Sequence, residues 1–342
     1  MTQVGPGDTV IVLDGTYVET DNENASGTPS APITFKAQNQ WGAVIAPNSG
    51  GEIISVSGNY VTIQGFEIIG NSAGTNNDGI KFQPPGTGGQ ALNNKIHNIG
   101  TGNCTGGAPI ISGQSNSVID SNMLYNYGEP GCSLYEGIYL NDGNNQTVTN
   151  NLIGDAPAGT MVGIQVNGQE AQTANFPSNQ TIANNTLFNI NGYGTLIACW
   201  GGNSCSGNVF NNNILYNAGV AQASVRTAAN GGTFTGSNSF SNNLIFNSGS
   251  PSMANGQNLV NTISSNPMFV NYTGDQSGNY QLQSGSPAIG AGTTNGAPSN
   301  SFGGGQRVPP IWDGAYQSSG GGGSPPPPAN PSPPTGLTAT VN

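Results

Sequence analysis

The segment Asn94-Lys-Ile-His-Asn98 carries the pattern that decides the fold, because it returns along the chain at nearly constant steps. Each copy places Asn first, Leu or Ile third, and Asn or Asp last. Successive copies begin 28, 29, 34, 28 and 30 residues apart, at Asn94, Asn122, Asn151, Asn185, Asn213 and Asn243. A repeat of this length indicates a chain built from stacked supersecondary units.

Two further short strands accompany each copy of the repeat. One precedes the copy directly, as in Ser117-Val-Ile119 and Gln146-Thr-Val148, and the other lies roughly ten residues earlier, as in Gly79-Ile-Lys-Phe82 and Gly137-Ile-Tyr-Leu140. Three short strands separated by Gly, Asn and Ser turns make one coil. A single coil cannot bury its apolar face, but stacked coils share a core.

The pattern predicts an all-β fold, a right-handed parallel β-helix (solenoid) with three short strands per coil and a period of about 28–30 residues. The recurrent asparagines are expected to stack as inward amide ladders that bind turn backbone. A β-sandwich would not repeat at this period, and propeller blades need about 40 residues. No long segment has helical periodicity.

Composition narrows the choice of partners. Only 6% of the residues are charged, 54 are Gly, and the formal net charge is −11. The five cations (Lys36, Lys81, Lys95, Arg226 and Arg307) are too few for nucleic-acid binding. The negative net charge argues against binding to anionic membranes. The sequence contains no apolar run of about 18 residues, so no transmembrane helix is predicted. An anionic polysaccharide would need bound cations such as Ca²⁺.

The four cysteines have informative spacing. Cys104 and Cys132 are one repeat apart, which places them on adjacent coils at roughly 4.8 Å, a separation compatible with a disulfide. Cys199 and Cys205 flank a short loop that a disulfide would close. Two disulfides predict an extracellular or cell-surface location, whereas four buried free thiols remain the alternative.

Segments at both ends resemble a known family. Gly7-Asp-Thr-Val-Ile-Val-Leu-Asp-Gly-Thr-Tyr17 resembles the first coil, and Asn266-Pro-Met-Phe-Val270 and Gly285-Ser-Pro-Ala-Ile289 resemble the closing segment, of the bacterial right-handed parallel β-helix superfamily. That superfamily includes pectate-lyase-like and alginate-lyase-like proteins. The resemblance spans roughly residues 3–317 and implies the fold, but it does not specify an activity, because the fold serves many functions.

Composition also divides the chain. Residues 1–317 are predicted to form the β-helix domain with its closing segment. Residues 318–334 form a Gly/Ser/Pro-rich linker, and residues 335–342 resemble the truncated first strand of a fibronectin-type-III module.

One face of the coils carries candidate site residues. Strand alternation points Lys81, Tyr139 and Gln165 outward, and Arg226 with them. This column predicts a shallow sugar-binding stripe with Tyr139 as a stacking platform, although a solvated polar sheet face would look the same. Trp200, in the loop between Cys199 and Cys205, is a further candidate for substrate binding and could form an aromatic ledge with Tyr193.

Carboxylates near the stripe allow two kinds of chemistry. Asp78 and Glu136 lie two coils apart, roughly 9 to 10 Å, near the upper limit for an inverting glycosidase pair. Alternatively, Asp78, Glu136 and Asp142 bind Ca²⁺, or they only cap turns. A lyase would use Lys81 or Arg226 as base and Tyr139 as acid, but these cations lie about five coils apart, roughly 24 Å.

Two functions follow from these patterns. The first is an extracellular, glycan-directed β-helix, either a polysaccharide lyase or a non-catalytic relative that binds polysaccharide, with catalytic candidates Lys81, Tyr139 and Glu136. Gln165, Arg226 and Trp200 would then bind substrate. The second is a structural, adhesive or filament-forming surface protein without catalytic activity, for which self-association is expected.

Overall fold

The structure is a computed structural model. It describes residues 4–71, 78–102, 104–133, 135–156, 159, 161–168, 171–254 and 256–317. The predicted linker and fibronectin-like strand lie outside these residues. The described chain forms no α-helix, and none of it makes a helix long and apolar enough to cross a membrane.

Three parallel sheets run the length of a β-helix of about eight coils, which confirms the predicted fold. Sheet A contains β1 (Thr9–Val12), β4 (Ile33–Ala37), β7 (Val61–Gln64), β10 (Gln90–Leu92), β13 (Val118–Asp120), β16 (Thr147–Thr149), β19 (Thr181–Ala183), β23 (Val209–Asn211) and β27 (Ser239–Ser241). Sheet B contains β2 (Gly15–Tyr17), β5 (Ala43–Ile45), β8 (Glu67–Ile69), β11 (Lys95–His97), β14 (Met123–Tyr125), β17 (Leu152–Ala156), β20 (Thr186–Ile190), β24 (Ile214–Ala218) and β28 (Leu244–Phe246). Sheet C contains β3 (Asp21–Glu23), β6 (Glu52–Val56), β9 (Asp78–Phe82), β12 (Ile110–Ser112), β15 (Glu136–Leu140), β18 (Val162–Asn167), β21 (Tyr193–Trp200) and β25 (Ala223–Asn230).

Two small sheets complete the strands. β22 (Ser204–Cys205) pairs in parallel with β26 (Thr233–Phe234). β29 (Phe269–Asn271) pairs in antiparallel with β30 (Asn279–Leu282).

The core consists of inward side chains stacked coil upon coil. In sheet B, Ile96 pairs in register with Ile68 and Leu124, and all three are fully buried. All three sheets contribute such residues, coil after coil, to one apolar cluster. Because no coil is buried without its neighbours, the fold is stabilised by contacts between coils.

The predicted asparagine ladder lies at the turn between sheets A and B. The Oδ1 of Asn122 accepts from the backbone N and the Nδ2 of Asn94, at 2.9 and 3.1 Å, and the Nδ2 of Asn122 donates to the Ala91 carbonyl at 2.9 Å. The same bonds recur down the stack, and each member is fully buried: Asn94, Asn122, Asn151, Asn185, Asn213 and Asn243.

The residue before each ladder asparagine has a different task. It adopts the left-handed conformation, with φ of 55° at Asn150 and 60° at Asn212, which Asn tolerates better than most residues. Its side chain then points away from the core. In the later coils these amides hold the closing segment. Each Nδ2 donates at 2.8 Å to a carbonyl of that segment: Asn150 to Asn300, Asn184 to Trp312, Asn212 to Thr293, and Asn242 to Ala291. The Asn-Asn pairs therefore serve both sides of the turn.

A second ladder, which the sequence did not reveal, lies at the turn between sheets C and A. The backbone N of Gln146 donates to the Oε1 of Gln180 at 3.0 Å, and the backbone N of Gln180 donates to the Oδ1 of Asn208 at 3.1 Å. Asn208 repeats the contact with Asn238 at 3.1 Å. Gln fills this role in the earlier coils and Asn in the later ones, and the change of residue type hides the periodicity.

Both predicted disulfides are confirmed. Cys104 and Cys132 join loops on adjacent coils with a Cα separation of 5.3 Å, and Cys199 and Cys205 close their loop at 6.1 Å.

The closing segment covers part of sheet B from outside. Phe188 and Tyr216 point outward from sheet B, where Phe188 stacks on Tyr280 with ring centroids 4.1 Å apart. Tyr216 contacts Tyr272 and Phe269. This second apolar cluster seals the outer face of sheet B in the later coils.

We expect Asn151→Ala to lower the free energy of unfolding by about 3 kcal/mol or more, because it leaves buried donors of Asn122 and the Ile119 carbonyl without partners. The matched control is Asn39→Ala, an exposed asparagine outside the left-handed region with one amide bond to Asp14, for which we expect about 1 kcal/mol. Urea unfolding followed by circular dichroism measures both. Equal losses for the two variants would contradict a special role for the ladder.

Candidate functional site

The outward column predicted on sheet C exists in register. Lys81 pairs with Ser55 and Ile111, Ile111 pairs with Tyr139, and Tyr139 pairs with Gln165. Gln165 is followed by Leu196 and Arg226. We call this surface, from Ser55 to Arg226, the C face. It brings the four predicted residues onto one line, with Ile111 and Leu196 filling the two positions that the sequence left unassigned.

A bend at the start of the sheet C strands adds a second outward column. Cβ atoms built on Gly79 and Gly137 would lie 2.7 and 2.5 Å from the inward side chains of Ile96 and Ile153, so these glycines face the core. The residues before them, Asp78 and Glu136, therefore share the outward side with Lys81 and Tyr139. Glycine is needed because a side chain there would collide with sheet B.

Lys81 is held by two carboxylates. Its Nζ lies 2.7 Å from the Oε1 of Glu52 and 3.4 Å from the Oδ2 of Asp78. Partial burial lowers the pKa of Lys81, but the bond to Glu52 and the charge of Asp78 outweigh it, so the pKa lies above its ordinary value. Lys81 is therefore a protonated cation in an ion-pair network, an arrangement that disfavours the predicted role as a base.

Glu136 has the most perturbed acidity on this face. It is only 4% exposed, and burial, followed by the charge of Asp78, raises its pKa from 4.5 to about 8. Burial also raises the pKa of Asp78, against the lowering effect of Lys81. Glu136 consequently exchanges its proton near neutral to mildly alkaline pH, which suits a general acid or base.

Tyr139 and Gln165 occupy the middle of the C face. Tyr139 is half-buried and its hydroxyl donates to the Asn167 carbonyl at 3.4 Å. The bend before Ile138 puts Glu136 on the same side of β15 as Tyr139, but the Tyr139 hydroxyl is directed toward Asn167, away from Val162, which pairs with Glu136. The apolar side chains of Ile111 and Leu196 lie on either side of this pair of polar residues.

Arg226 and Trp200 lie toward the later coils. The Arg226 guanidinium donates to the Tyr193 hydroxyl and lies 5.3 Å from the ring centroid of Tyr193. Trp200 donates its Nε1 to the Oδ1 of Asn167. The idea of a Trp200–Tyr193 ledge is corrected, because these residues occupy opposite ends of β21, roughly 23 Å apart along the strand.

The predicted three-carboxylate calcium site does not form. Asp142 follows the far end of β15, roughly 20 Å along the chain from Glu136. Its carboxylate accepts from the backbone N of Gly143, Gln172 and Thr173 at 2.7, 3.0 and 2.9 Å, so it caps a loop. In the described ranges no three His, Cys, Asp or Glu side chains are grouped to hold a metal ion.

Glu52 is the site residue that the sequence reasoning missed. It occupies the position of Asp78 one coil earlier, as the register of β6 and β9 shows. The signal was present in the alignment of Glu52-Ile-Ile-Ser-Val56 with Asp78-Gly-Ile-Lys-Phe82. Ile53 stands where the later coils have Gly or Pro, and this difference concealed the match.

The single histidine lies elsewhere. His97 is on the outer side of sheet B, where its Nε2 lies 3.0 Å from the Oε1 of Glu67 and its ring stacks on Tyr125 with centroids 4.7 Å apart. Lys95 contacts the same Glu67 oxygen at 2.8 Å. These side chains satisfy one another on a different sheet from the C face.

Comparison with known proteins gives a likeness of fold. No protein-family model matches the chain, and no curated protein matches its sequence. Among solved structures, pectate lyase Pel9A is similar over 92% of this chain and 89% of its own, with a TM-score of 0.50 and 17% identity. A mannuronic-acid-specific polysaccharide family 6 lyase from human gut microbiota gives a TM-score of 0.47 at 16% identity, over 73% of this chain and 62% of its own. An alginate lyase from Paenibacillus sp. gives a TM-score of 0.41 at 18% identity, over 75% of this chain and 91% of its own.

We expect Glu136→Gln to gain stability relative to the unchanged protein as the pH rises. The folded protein keeps the Glu136 proton up to about pH 8, whereas the unfolded chain loses it near pH 4.5. Between these values the unchanged protein loses up to about 1.4 kcal/mol per pH unit from this group, a loss the variant escapes.

Thermal unfolding of both proteins between pH 4.5 and 9 measures this difference. Glu19→Gln, which removes an exposed carboxylate, is the control and should track the unchanged protein. A Glu136→Gln curve parallel to that of the unchanged protein would show that Glu136 ionises as readily when folded.

Proposed function

We propose that this protein is an extracellular, polysaccharide-directed β-helix that binds a glycan chain along the C face, across the strands. The observation that carries the proposal is the in-register column from Lys81 to Arg226, which spans five strand spacings, roughly 24 Å. The two disulfides support an oxidising compartment. The solved structures of similar fold are lyases of pectate and alginate by their titles, which makes a glycan the first ligand to test.

The chemistry of the C face suits a sugar chain. Tyr139 offers a partly exposed ring for stacking, and Leu196 adds partly exposed apolar surface, whereas Ile111 between Lys81 and Tyr139 is buried. Arg226 provides donors for hydroxyl groups, and Gln165, only 8% exposed, offers little of its amide. An extended chain lying across the coils would meet a new side chain at each strand spacing.

The catalytic form of the proposal is a polysaccharide lyase centred on Glu136 and Tyr139. In β-elimination a base removes the C5 proton of a uronate residue, the C–H electron pair forms the C4=C5 double bond, and the C4–O4 bond breaks as an acid protonates the leaving oxygen. With Lys81 held protonated, Glu136 is the better base, and Tyr139 on the same strand is the acid. The Tyr139 hydroxyl bonds the Asn167 carbonyl, so this role requires it to turn back toward Glu136 when substrate binds. Lys81 then serves to position the sugar. The residues present do not form the calcium site expected earlier, so no step is assigned to Ca²⁺.

The structural, non-catalytic alternative has its own support. Lys81 is already bound to Glu52 and Asp78, so the face is internally satisfied without a ligand. The ladders explain most of the buried asparagine without reference to function. A scaffold or filament protein would need nothing more than these features.

A glycan panel with matched variants tests the proposal. We expect Tyr139→Ala to weaken glycan affinity about fivefold or more, because it removes the stacking ring. Gln64→Ala, on the outer side of sheet A, should leave affinity unchanged. Affinity electrophoresis in gels containing each polysaccharide measures both. Equal affinities for Tyr139→Ala and the unchanged protein would remove the C face as the binding site.

Ultraviolet absorbance of the unsaturated product tests catalysis on the same polymers, with and without Ca²⁺. A lyase should lose most of its rate in Tyr139→Phe and in Glu136→Gln, and the rate of the unchanged protein should rise toward pH 8 as Glu136 ionises. Glycan binding without unsaturated product would show that the protein binds polysaccharide but is not a lyase. No binding, together with self-association in dilute buffer measured by light scattering, would favour the structural alternative.

A further inference from the structure

The distribution of positive charge over the molecule bears on which glycans the C face accepts. The sequence has five cations, and all five lie in the described ranges. Lys36 is on sheet A, Lys95 is on sheet B, and Arg307 is buried in the closing segment. Only Lys81 and Arg226 remain to meet a ligand on the C face.

The charge of Lys81 is already used within the protein. Its Nζ contacts Glu52 at 2.7 Å and Asp78 at 3.4 Å, and the Nε2 of Gln83 adds a bond to the same Glu52 oxygen at 3.2 Å. A ligand carboxylate at this place would have to displace Glu52 or lie next to it. The first half of the C face therefore offers no net attraction to an anion.

Arg226 is the only cation of the C face without a carboxylate in the described structure, and it lies roughly 24 Å from Lys81. Its guanidinium is turned toward Tyr193. A polyuronate carries a carboxylate on every sugar, so a chain along this face would bring many anions to one available cation. The protein as a whole, at a net charge of −11, repels such a chain further.

We propose that the C face selects uncharged polysaccharide, meaning neutral sugars or uronates with esterified carboxyl groups, and discriminates against polyuronates. Glu52 sets this specificity by neutralising Lys81. The inference rests on the proposed glycan binding at the C face, and it names the class of substrate. It departs from the anionic polysaccharide that the resemblance to lyases first suggested.

A pair of polymers that differ only in charge tests the proposal. Homogalacturonan of one chain length is used fully methyl-esterified and fully de-esterified, in buffer of low ionic strength, with neutral xylan and glucan beside them. We expect the uncharged polymers to bind about tenfold or more tighter than the de-esterified one, with the gap narrowing as salt is added. Equal or tighter binding of the de-esterified polymer would overturn the specificity but leave glycan binding intact. If no polymer binds, the proposed function falls and the specificity falls with it.

A variant pair assigns the effect to Glu52. Glu52→Gln removes the nearer of the two carboxylates at Lys81 and leaves Asp78 at 3.4 Å, and it should raise affinity for the de-esterified polymer about threefold or more, with little change for the esterified one. Glu67→Gln removes the same charge from sheet B, where Glu67 pairs with Lys95, away from the C face, and should have a smaller effect. Equal gains from the two variants would show that net charge alone, and not Glu52, decides the preference. Circular dichroism confirms that both variants fold.

Discussion

The buried asparagine ladder is the interaction on which the rest of the structure depends. Each turn between sheets A and B would otherwise bury backbone donors and acceptors without partners, and each ladder amide satisfies those of the preceding coil. Because the side chain of one coil binds the backbone of another, the ladder sets the register between coils as well as closing the turn. The straight columns of the C face follow from that register. Tyr139 pairs with Gln165 on the next coil, and bonds such as those from Asn122 to Asn151 hold adjacent coils in the register that this pairing requires.

The periodic features of the structure could be predicted from the sequence, because each coil repeats the same physical problem. The strands, the Asn94–Asn243 ladder, the outward direction of Lys81 and Tyr139, and the Cys104–Cys132 pair all follow from one spacing. The second ladder could not be predicted, because glutamine and asparagine replace one another where either amide reaches the turn. The predicted calcium site included Asp142 because it is close to Glu136 in sequence. The extended strand β15 carries Asp142 to the opposite edge of the sheet.

The candidate site was harder to predict because it depends on a departure from strand alternation. Two consecutive inward positions, Gly79 and Ile80, move Asp78 to the same side as Lys81, and simple alternation would have put it inside. The same bend puts Glu136 on the outer side of β15, where it is buried. Whether a cation is available to a ligand is also a property of the fold, since Glu52 reaches Lys81 from the preceding coil. A chain with so few charged residues therefore gains its electrostatic character from which of them are paired.

The closing segment has a mechanical consequence. Four successive coils each hold it through an outward asparagine amide, at Asn150, Asn184, Asn212 and Asn242, and aromatic rings lock it against sheet B. A pull on the chain beyond residue 317 would load these four attachments side by side, in shear, before it could peel the last coil from the stack. The segment acts as a strap that shares such a load among several coils.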